Sequence, residues 1–333
     1  MLRIIWLTLI LLGIVVVYAS LQIFMETKPP SAVEVIIPGG ASASEIAERL
    51  YQGKVIRSPN LFRLLARLSG VSARMQSGHY RFEEPADMWT VMKRIHEGDV
   101  ILYQLTIPEG LRLAEIISLL AEKTETHPDL WRETLAELVN GADAEGMLLP
   151  ETYSYEKPVQ PKRILTQMLE SQRRLLDRLG NSWLDRHQLR IVASIIEKET
   201  SIDRERPLIA SVIRNRLRRN MPLQMDPTVI YGLWRTDGAF SGNLTKKDLE
   251  RDTPWNTYTR TGLPLTPICN PGAASLKAAA RPAETDYLYF VANGKGGHMF
   301  ASTLAEHTKN VRQWMKMERK ARSVVHVKTE GSE

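Results

Sequence analysis

The chain has 333 residues, 43% of them hydrophobic and 25% charged, with a formal net charge of +6. This balance supports two or three packed domains and excludes a disordered or low-complexity chain. A single cysteine, Cys269, excludes an intramolecular disulfide, and the seven histidines show no metal-ligand spacing, so no metal and no cofactor is expected.

Residues 4–24 contain no charged side chain and are rich in Ile, Leu and Val. At about 1.5 Å of rise per residue such a helix matches a bilayer core. Arg3 precedes it and Glu26 follows, which favours a cytoplasmic N-terminus with the rest of the chain outside. A cleaved signal peptide is the rival, since Val17-Tyr18-Ala19 resembles a cleavage site, but the apolar run is longer than a signal-peptide core and continues past it, so a retained anchor over residues 1–27 is expected. The pair Pro29-Pro30 then reads as a stiff spacer.

Residues 33–37 alternate as a strand, residues 38–40 turn, and residues 42–52 read as a helix capped by Ser42 or Ser44. The pattern returns seventy positions on. Ile37, Pro38, Gly40, Glu45, Ile46 and Leu50 each meet the identical residue at 107, 108, 110, 115, 116 and 120. Between the copies, residues 61–68 and 88–96 read as helices and 79–82 as a strand. Residues 28–122 are thus expected to form a small α+β domain whose βααβ pattern resembles the LysM module, a binder of N-acetylglucosamine polymers. No aromatic sugar platform is evident in it, and a spacer or docking role is the alternative.

A helical connector is expected over residues 123–145, a second domain over 146–317 and a mobile tail over 318–333. In the second domain, residues 161–179 read as an amphipathic helix stopped by Gly180, 204–219 as another, 273–280 as a short one, 287–292 and 298–300 as a hairpin, and 304–314 as the last helix. The basic run at 214–219 lacks interleaved aromatic residues and reads as a solvated helix face, so no nucleic-acid partner is expected. Asn215 falls on the inner side of that helix and must find partners. The glycine-rich turn at 293–297 does not match a phosphate loop.

The most informative stretch is residues 189–200, LRIVASIIEKET. On a helical wheel with Val192 at zero, Leu189, Ile195 and Ile196 make an apolar stripe; Glu199 falls inside it at about −20° and Glu197 on the polar side at about 140°. A carboxyl set among Val and Ile is costly to ionise, so its pKa should rise, and such a group can donate a proton near neutral pH. The plain alternative is an end-of-helix residue paired with Arg204 or Arg216. Further on, Gln224 and Asp226 point the same way if their segment is extended, and so do Asn256 and Tyr258. Amides suit N-acetyl groups and a tyrosine ring can lie against a sugar; loop structure is the plain alternative for each.

Taken together, ASIIEKET (193–200), NRL (215–217), LQMDPTVIYG (223–232), NTYT (256–259), NPG (270–272) and YLYFVANGKGGHMF (287–300) resemble the MltG (YceG-like) family of endolytic murein transglycosylases. The resemblance covers almost the whole chain, anchor and LysM-like region included. The loop GLPLTPICNPG (262–272) departs from the family's more frequent GLPPGPIANPG, with Cys269 expected near the cleft rim. The resemblance implies Glu199 as the essential acid. It also implies cleavage of the MurNAc–GlcNAc β-1,4 bond inside glycan strands to give 1,6-anhydroMurNAc ends, limiting strand elongation beside peptidoglycan synthases. The expected fold is α+β: a transmembrane helix, a LysM-like subdomain and a mixed α+β catalytic domain with a lysozyme-like helical cleft. The enzyme would stand on the inner membrane with its catalytic domain in the periplasm. Glu199 is the expected catalytic residue and Gln224, Asp226, Asn256, Tyr258 and Asn215 the expected substrate-binding ones, with Asn215 favoured as a loop support. Asp226 is either a second catalytic carboxylate or a turn residue. The rival from another class is a membrane-tethered peptidoglycan-binding scaffold without catalysis.

Overall fold

The structure, a computed structural model, describes residues 2–330. The chain divides into two compact units, Met1–Leu105 with Ser154–Gln160, and Thr106–Tyr153 with Pro161–Glu333. Together they give a mixed α+β fold with one N-terminal apolar helix.

The first unit begins with α1 (Leu2–Phe24), whose segment Arg3–Phe24 is long and apolar enough to cross a membrane. There follow β1 (Val33–Ile37), α2 (Ala43–Gln52), α3 (Pro59–Leu68), β2 (Gly78–Phe82) and α4 (Met88–Glu97). β1 and β2 pair antiparallel, with Val33 opposite Phe82 and Ile37 opposite Gly78. The alternation of VEVII works as its period-two pattern requires: Val35 and Ile37 are buried and Glu34 and Ile36 are not. Ser42 caps α2 by accepting from the Glu45 amide, and Ser58 caps α3, with Pro59 opening that helix where no intrahelical donor is needed. Their inner faces meet Tyr80, Phe82, Val91 and Ile95 in one core, against which Ile23 of α1 also packs.

β3 (Tyr103–Thr106) and β4 (Thr152–Tyr155) form a second two-stranded sheet. The remaining elements are α5 (Leu113–Thr124), α6 (Pro128–Leu138), α7 (Pro161–Leu179), α8 (Arg186–Glu199), α9 (Arg206–Arg218), α10 (Asp226–Asp237), α11 (Lys246–Glu250), α12 (Ala273–Ala280), the antiparallel hairpin β5 (Tyr289–Ala292) and β6 (His298–Ala301), and α13 (Leu304–Glu330). The internal repeat is real at the backbone. Gly40 and Gly110 both take left-handed conformations, at φ of 78° and 76°, where a side chain would be strained. Ile46 and Leu50 in α2, like Ile116 and Leu120 in α5, are sealed from solvent.

α8 is the centre of the second unit. Asp185 and Gln188 close a capping box at its start, and Leu189 and every residue from Ile191 to Ile196 are buried. A helix buried on more than one side needs partners on more than one side, and α9, α10 and α12 supply them. Two expectations are corrected here. Residues 226–237, with no helix expected after the Asp226-Pro227 turn signal, are helical, because Asp226 favours a helix N-terminus and Pro227 tolerates the first turn. The terminal helix, expected to stop near Trp314, continues through the expected tail to Glu330; residues 331–333 lie outside those described.

One backbone position carries a testable consequence. Gly146 sits at φ 75°, and a Cβ built there would stand 2.5 Å from the Pro267 Cβ. Its carbonyl accepts from the buried Gln172 amide at 2.7 Å. Gly146→Ala combines a left-handed penalty with a clash against a rigid ring, and is expected to lose about 2–4 kcal/mol in a denaturant titration of the purified chain.

Candidate active site

The last residue of α8, Glu199, stands with Arg216, Gln224, Asp226, Tyr258 and Phe290 around a pocket of about 190 Å³. Glu199 is partly exposed there. Burial pushes its carboxyl up to about 7, and the nearby Asp226 charge pushes the same way. Among the described residues it has no ion-pair partner, so the arginine-paired alternative fails. Arg204 makes no such pair, and the Arg216 guanidinium is spent on carbonyls instead: Nε donates to Leu288 O at 2.6 Å, and Nη1 to Leu223 O at 2.8 Å and Pro222 O at 3.1 Å.

The opposite wall is two loops stitched together. The Gln224 amide donates to Thr257 O and the Met225 amide to Thr257 Oγ1, each at 3.0 Å. Gln224 adopts φ 50°, an uncommon conformation for a residue with a Cβ, and its side chain is exposed at the pocket. Asp226 opens α10, and its carboxylate accepts the Tyr258 hydroxyl at 2.5 Å. Burial and that bond hold the phenol well above its usual range, so Tyr258 stays protonated and remains a donor. The site therefore pairs one carboxyl poised to carry a proton at neutral pH with a second that is engaged by a phenol.

Three of the five expected substrate-binding residues, Gln224, Asp226 and Tyr258, line one pocket, with Asp226 reaching it from the start of a helix rather than from an extended segment. Asn256 is a correction. It is 1% exposed, its amide donates to Leu249 O and Arg251 O, and its carbonyl accepts the Tyr258 and Thr259 amides. With those groups committed it shapes the turn that aims Tyr258 and does not line the pocket. Asn215 likewise gives its amide to Thr285 O and Tyr287 O, anchoring the segment that leads into β5. It supports the loops and does not face the pocket.

Glu197 is a second correction. Its side chain is not on a solvated face: it is 7% exposed, accepts the Gly272 amide at 2.8 Å and lies 3.7 Å from the buried Arg206. The wheel placed it away from the stripe correctly, but α9 and α12 pack on that side too. Glu197→Gln keeps the acceptor for Gly272 and leaves Arg206 with Asp203. The expected cost is about 1–2 kcal/mol, read as a fall of about 2–6 °C in thermal unfolding. Arg216 and Arg214 correct the reading of the basic run. Both are buried, Arg214 pairing with Glu284 at 2.7 Å, and only Arg218 and Arg219 match the solvated face. Arg216 follows Ile209 and Val212 by seven and four positions, the spacing that could have placed it inside.

Glu145 gave no sequence signal, standing in a loop with only Asp143 as an acidic neighbour. It is 3% exposed and accepts from the Leu113 amide, the Asn270 side-chain amide and the Tyr231 hydroxyl at 2.9–3.0 Å. Burial lifts its carboxyl to about 7 against the pull of those donors, but it lies outside the Glu199 pocket. Cys269 is not on the cleft rim. It is fully buried, with Sγ donating to Ser194 O at 3.4 Å, and burial raises its thiol well above the usual range. Among the described residues no group of three His, Cys, Asp or Glu side chains is gathered as a metal site.

A carboxyl with a raised pKa thus lines a pocket beside a tyrosine–aspartate pair, and such a group can give or take a proton near neutral pH. The chain belongs to the YceG-like family, whose model matches residues 35–313. It is similar to the endolytic murein transglycosylase of Bacillus subtilis strain 168, with 32% identity over 312 residues covering 86% of this chain and 85% of that protein. It is also 27% identical to the endolytic murein transglycosylase of Streptococcus pneumoniae D39, covering 86% of this chain and 59% of that longer one. A crystal structure of a YceG-like protein from Listeria monocytogenes matches 84% of this chain and 99% of its own, with a TM-score of 0.52 and 33% identity.

Proposed function

We propose that the chain is an endolytic murein transglycosylase, a lyase that cuts the MurNAc–GlcNAc β-1,4 bond within glycan strands. The observation that carries this reading is Glu199: a carboxyl half-protonated near pH 7, open to a pocket and without a cationic partner. Glycosidases ordinarily use two carboxylates, one of them acting on water or as a nucleophile. Here the sugar's own C6 hydroxyl is the nucleophile, and its tether replaces the positioned water. Glu199 gives its proton to the glycosidic oxygen as the C1–O4 bond breaks. The C6 oxygen closes onto C1, and Glu199 recovers the hydroxyl proton. One bond breaks, one forms, and no water is consumed. Asp226, held by Tyr258, keeps the Glu199 proton in place and supports positive charge developing at C1. Gln224 and Tyr258 hold the sugar.

The α1 helix supports a retained single-pass anchor with the N-terminus in the cytoplasm and the catalytic part in the periplasm. The strand–helix–helix–strand order of β1, α2, α3 and β2 supports a LysM-like module in the expected 28–122 region. The helices around Glu199 support a lysozyme-like cleft within the expected 146–317 domain. The proposed setting is strand termination beside peptidoglycan synthases.

Mass spectrometry of purified peptidoglycan after incubation with the full chain tests the reading. Internal cuts ending in 1,6-anhydroMurNAc are expected. Reducing ends heavier by one water would mean a hydrolase, with Asp226 as the second carboxylate. Strands bound but uncut would mean a tethered scaffold.

A further inference from the structure

A second and larger pocket, of about 440 Å³, is lined by residues next in sequence to those of the first. The two share the junction of α8 and α10: Glu199 and Asp226 line one, and the adjacent residues Lys198 and Pro227 line the other. Its volume lies within the ~300–1,000 Å³ of ordinary ligand pockets. Its lining mixes charges with aromatic surface. The Arg112 guanidinium lies 3.9 Å over the Trp234 ring and pairs with Glu115 at 2.5 Å, and Phe240 adds a second aromatic face. The Arg112 bond holds the Glu115 carboxyl below its ordinary range, so that group is ionised at neutral pH. The exposed Lys198 ammonium stands 3.3 Å from Gly110 O, leaving it donors to spare.

Charge decides what this pocket suits. The glycan backbone of murein is neutral, since its amines are acetylated and the lactyl carboxyl is tied up in an amide. The hydroxyls of a neutral saccharide can bond to such charges, but only an ionic ligand also neutralises them. The stem peptide hanging from each muramoyl unit carries free carboxylates and, where it holds a diamino acid, an ammonium. Resting on the transglycosylase reading of the neighbouring pocket, we propose that this second pocket seats the stem peptide of the strand being cut. Lys198 and Arg112 receive its carboxylates, Glu115 receives an ammonium, and Trp234 and Phe240 pack on its methylene groups. The enzyme thereby prefers peptide-bearing strands to bare glycan.

The test compares the full chain in detergent on intact strands and on the same strands stripped of peptide by an amidase, with the lactyl carboxyl that the amidase frees capped again as a methylamide so that the bare strand is neutral. The wild type is expected to show kcat/KM about tenfold higher on intact strands, and Lys198→Gln with Arg112→Gln to bring that ratio close to one. Lys198→Gln alone, on an exposed side chain, is expected to lower the ratio about threefold, and Lys198→Arg to preserve it. Equal wild-type rates on both substrates would overturn the proposal, as would a variant that slows both alike. Calorimetry with the free tetrapeptide stem reads binding without catalysis: the double variant should weaken it about tenfold, and no binding by the wild type counts against the pocket. Failure of the wild type to make anhydro ends from either strand would instead sink the transglycosylase reading, while peptide binding lost in the variants would still support this one.

Discussion

Glu199→Gln is expected to reduce formation of anhydro ends by about 10³-fold or more while leaving the fold intact. An amide cannot give a proton to a leaving oxygen or take one back, and in the proposed mechanism both steps fall on this one group. The pH profile should show the same carboxyl. Activity needs its protonated form, so kcat/KM should fall as pH rises through about 7. The same variant should also be more stable than the wild type, and only at neutral and alkaline pH. The folded-state pKa is raised from 4.5 to about 7, so the folded chain holds the proton more tightly than the unfolded one. Stability is therefore highest below about pH 4.5, is lost progressively as pH rises to about 7, and stays low above it. The loss is up to about 3 kcal/mol for such a shift. Glutamine removes the ionisation, so thermal unfolding should show a higher Tm for Glu199→Gln at pH 8 and no difference at pH 4.5. A variant that stays active, or one with the same Tm gap at both pH values, would show that Glu199 is not the proton carrier.

Arg216→Met is expected to damage both stability and activity, which separates it from Glu199→Gln. The guanidinium spans α9, the segment entering β5 and the loop that carries Gln224, through three carbonyl bonds at 2.6–3.1 Å. Methionine fills the stem's space and leaves those carbonyls without their donor. The expected cost is about 2–4 kcal/mol in denaturant unfolding. The freed loop should move Gln224 and Asp226 and lower kcat about 10–100-fold, since small misplacements of positioning groups are amplified in rate. Arg216→Lys should recover little, because an ammonium cannot reach two segments at once. Retained activity in Arg216→Met would mean that the loop is held by its bonds to Thr257 alone.

The sequence made some of this site legible and hid the rest for identifiable reasons. Glu199 could be found because helical rotation sets it among Val192, Ile195 and Ile196, and burial of those neighbours raises a carboxyl whatever else surrounds it. The same wheel set Glu197 off the stripe but could not show it buried, because it knows one helix and not that α9 and α12 cover its other side. Asn256 looked like a sugar ligand because an asparagine beside a tyrosine suits an N-acetyl group; the structure uses both ends of its amide on its own turn. α10 was hidden behind Asp226-Pro227, a pair that reads as turn chemistry but also opens a helix. Glu145 and its three donors come from distant stretches of chain, and no local pattern brings them together.

Cys269 gives this protein a built-in reporter. The thiol lies in the packing beneath α8 and is bonded to Ser194 on that helix, so no reagent can reach it while the helix is seated. Alkylation under native conditions must wait for that region to open, and its rate measures the free energy of the opening. The helix that carries Glu199 can thus be watched as it loosens, with no probe added, in every variant described above.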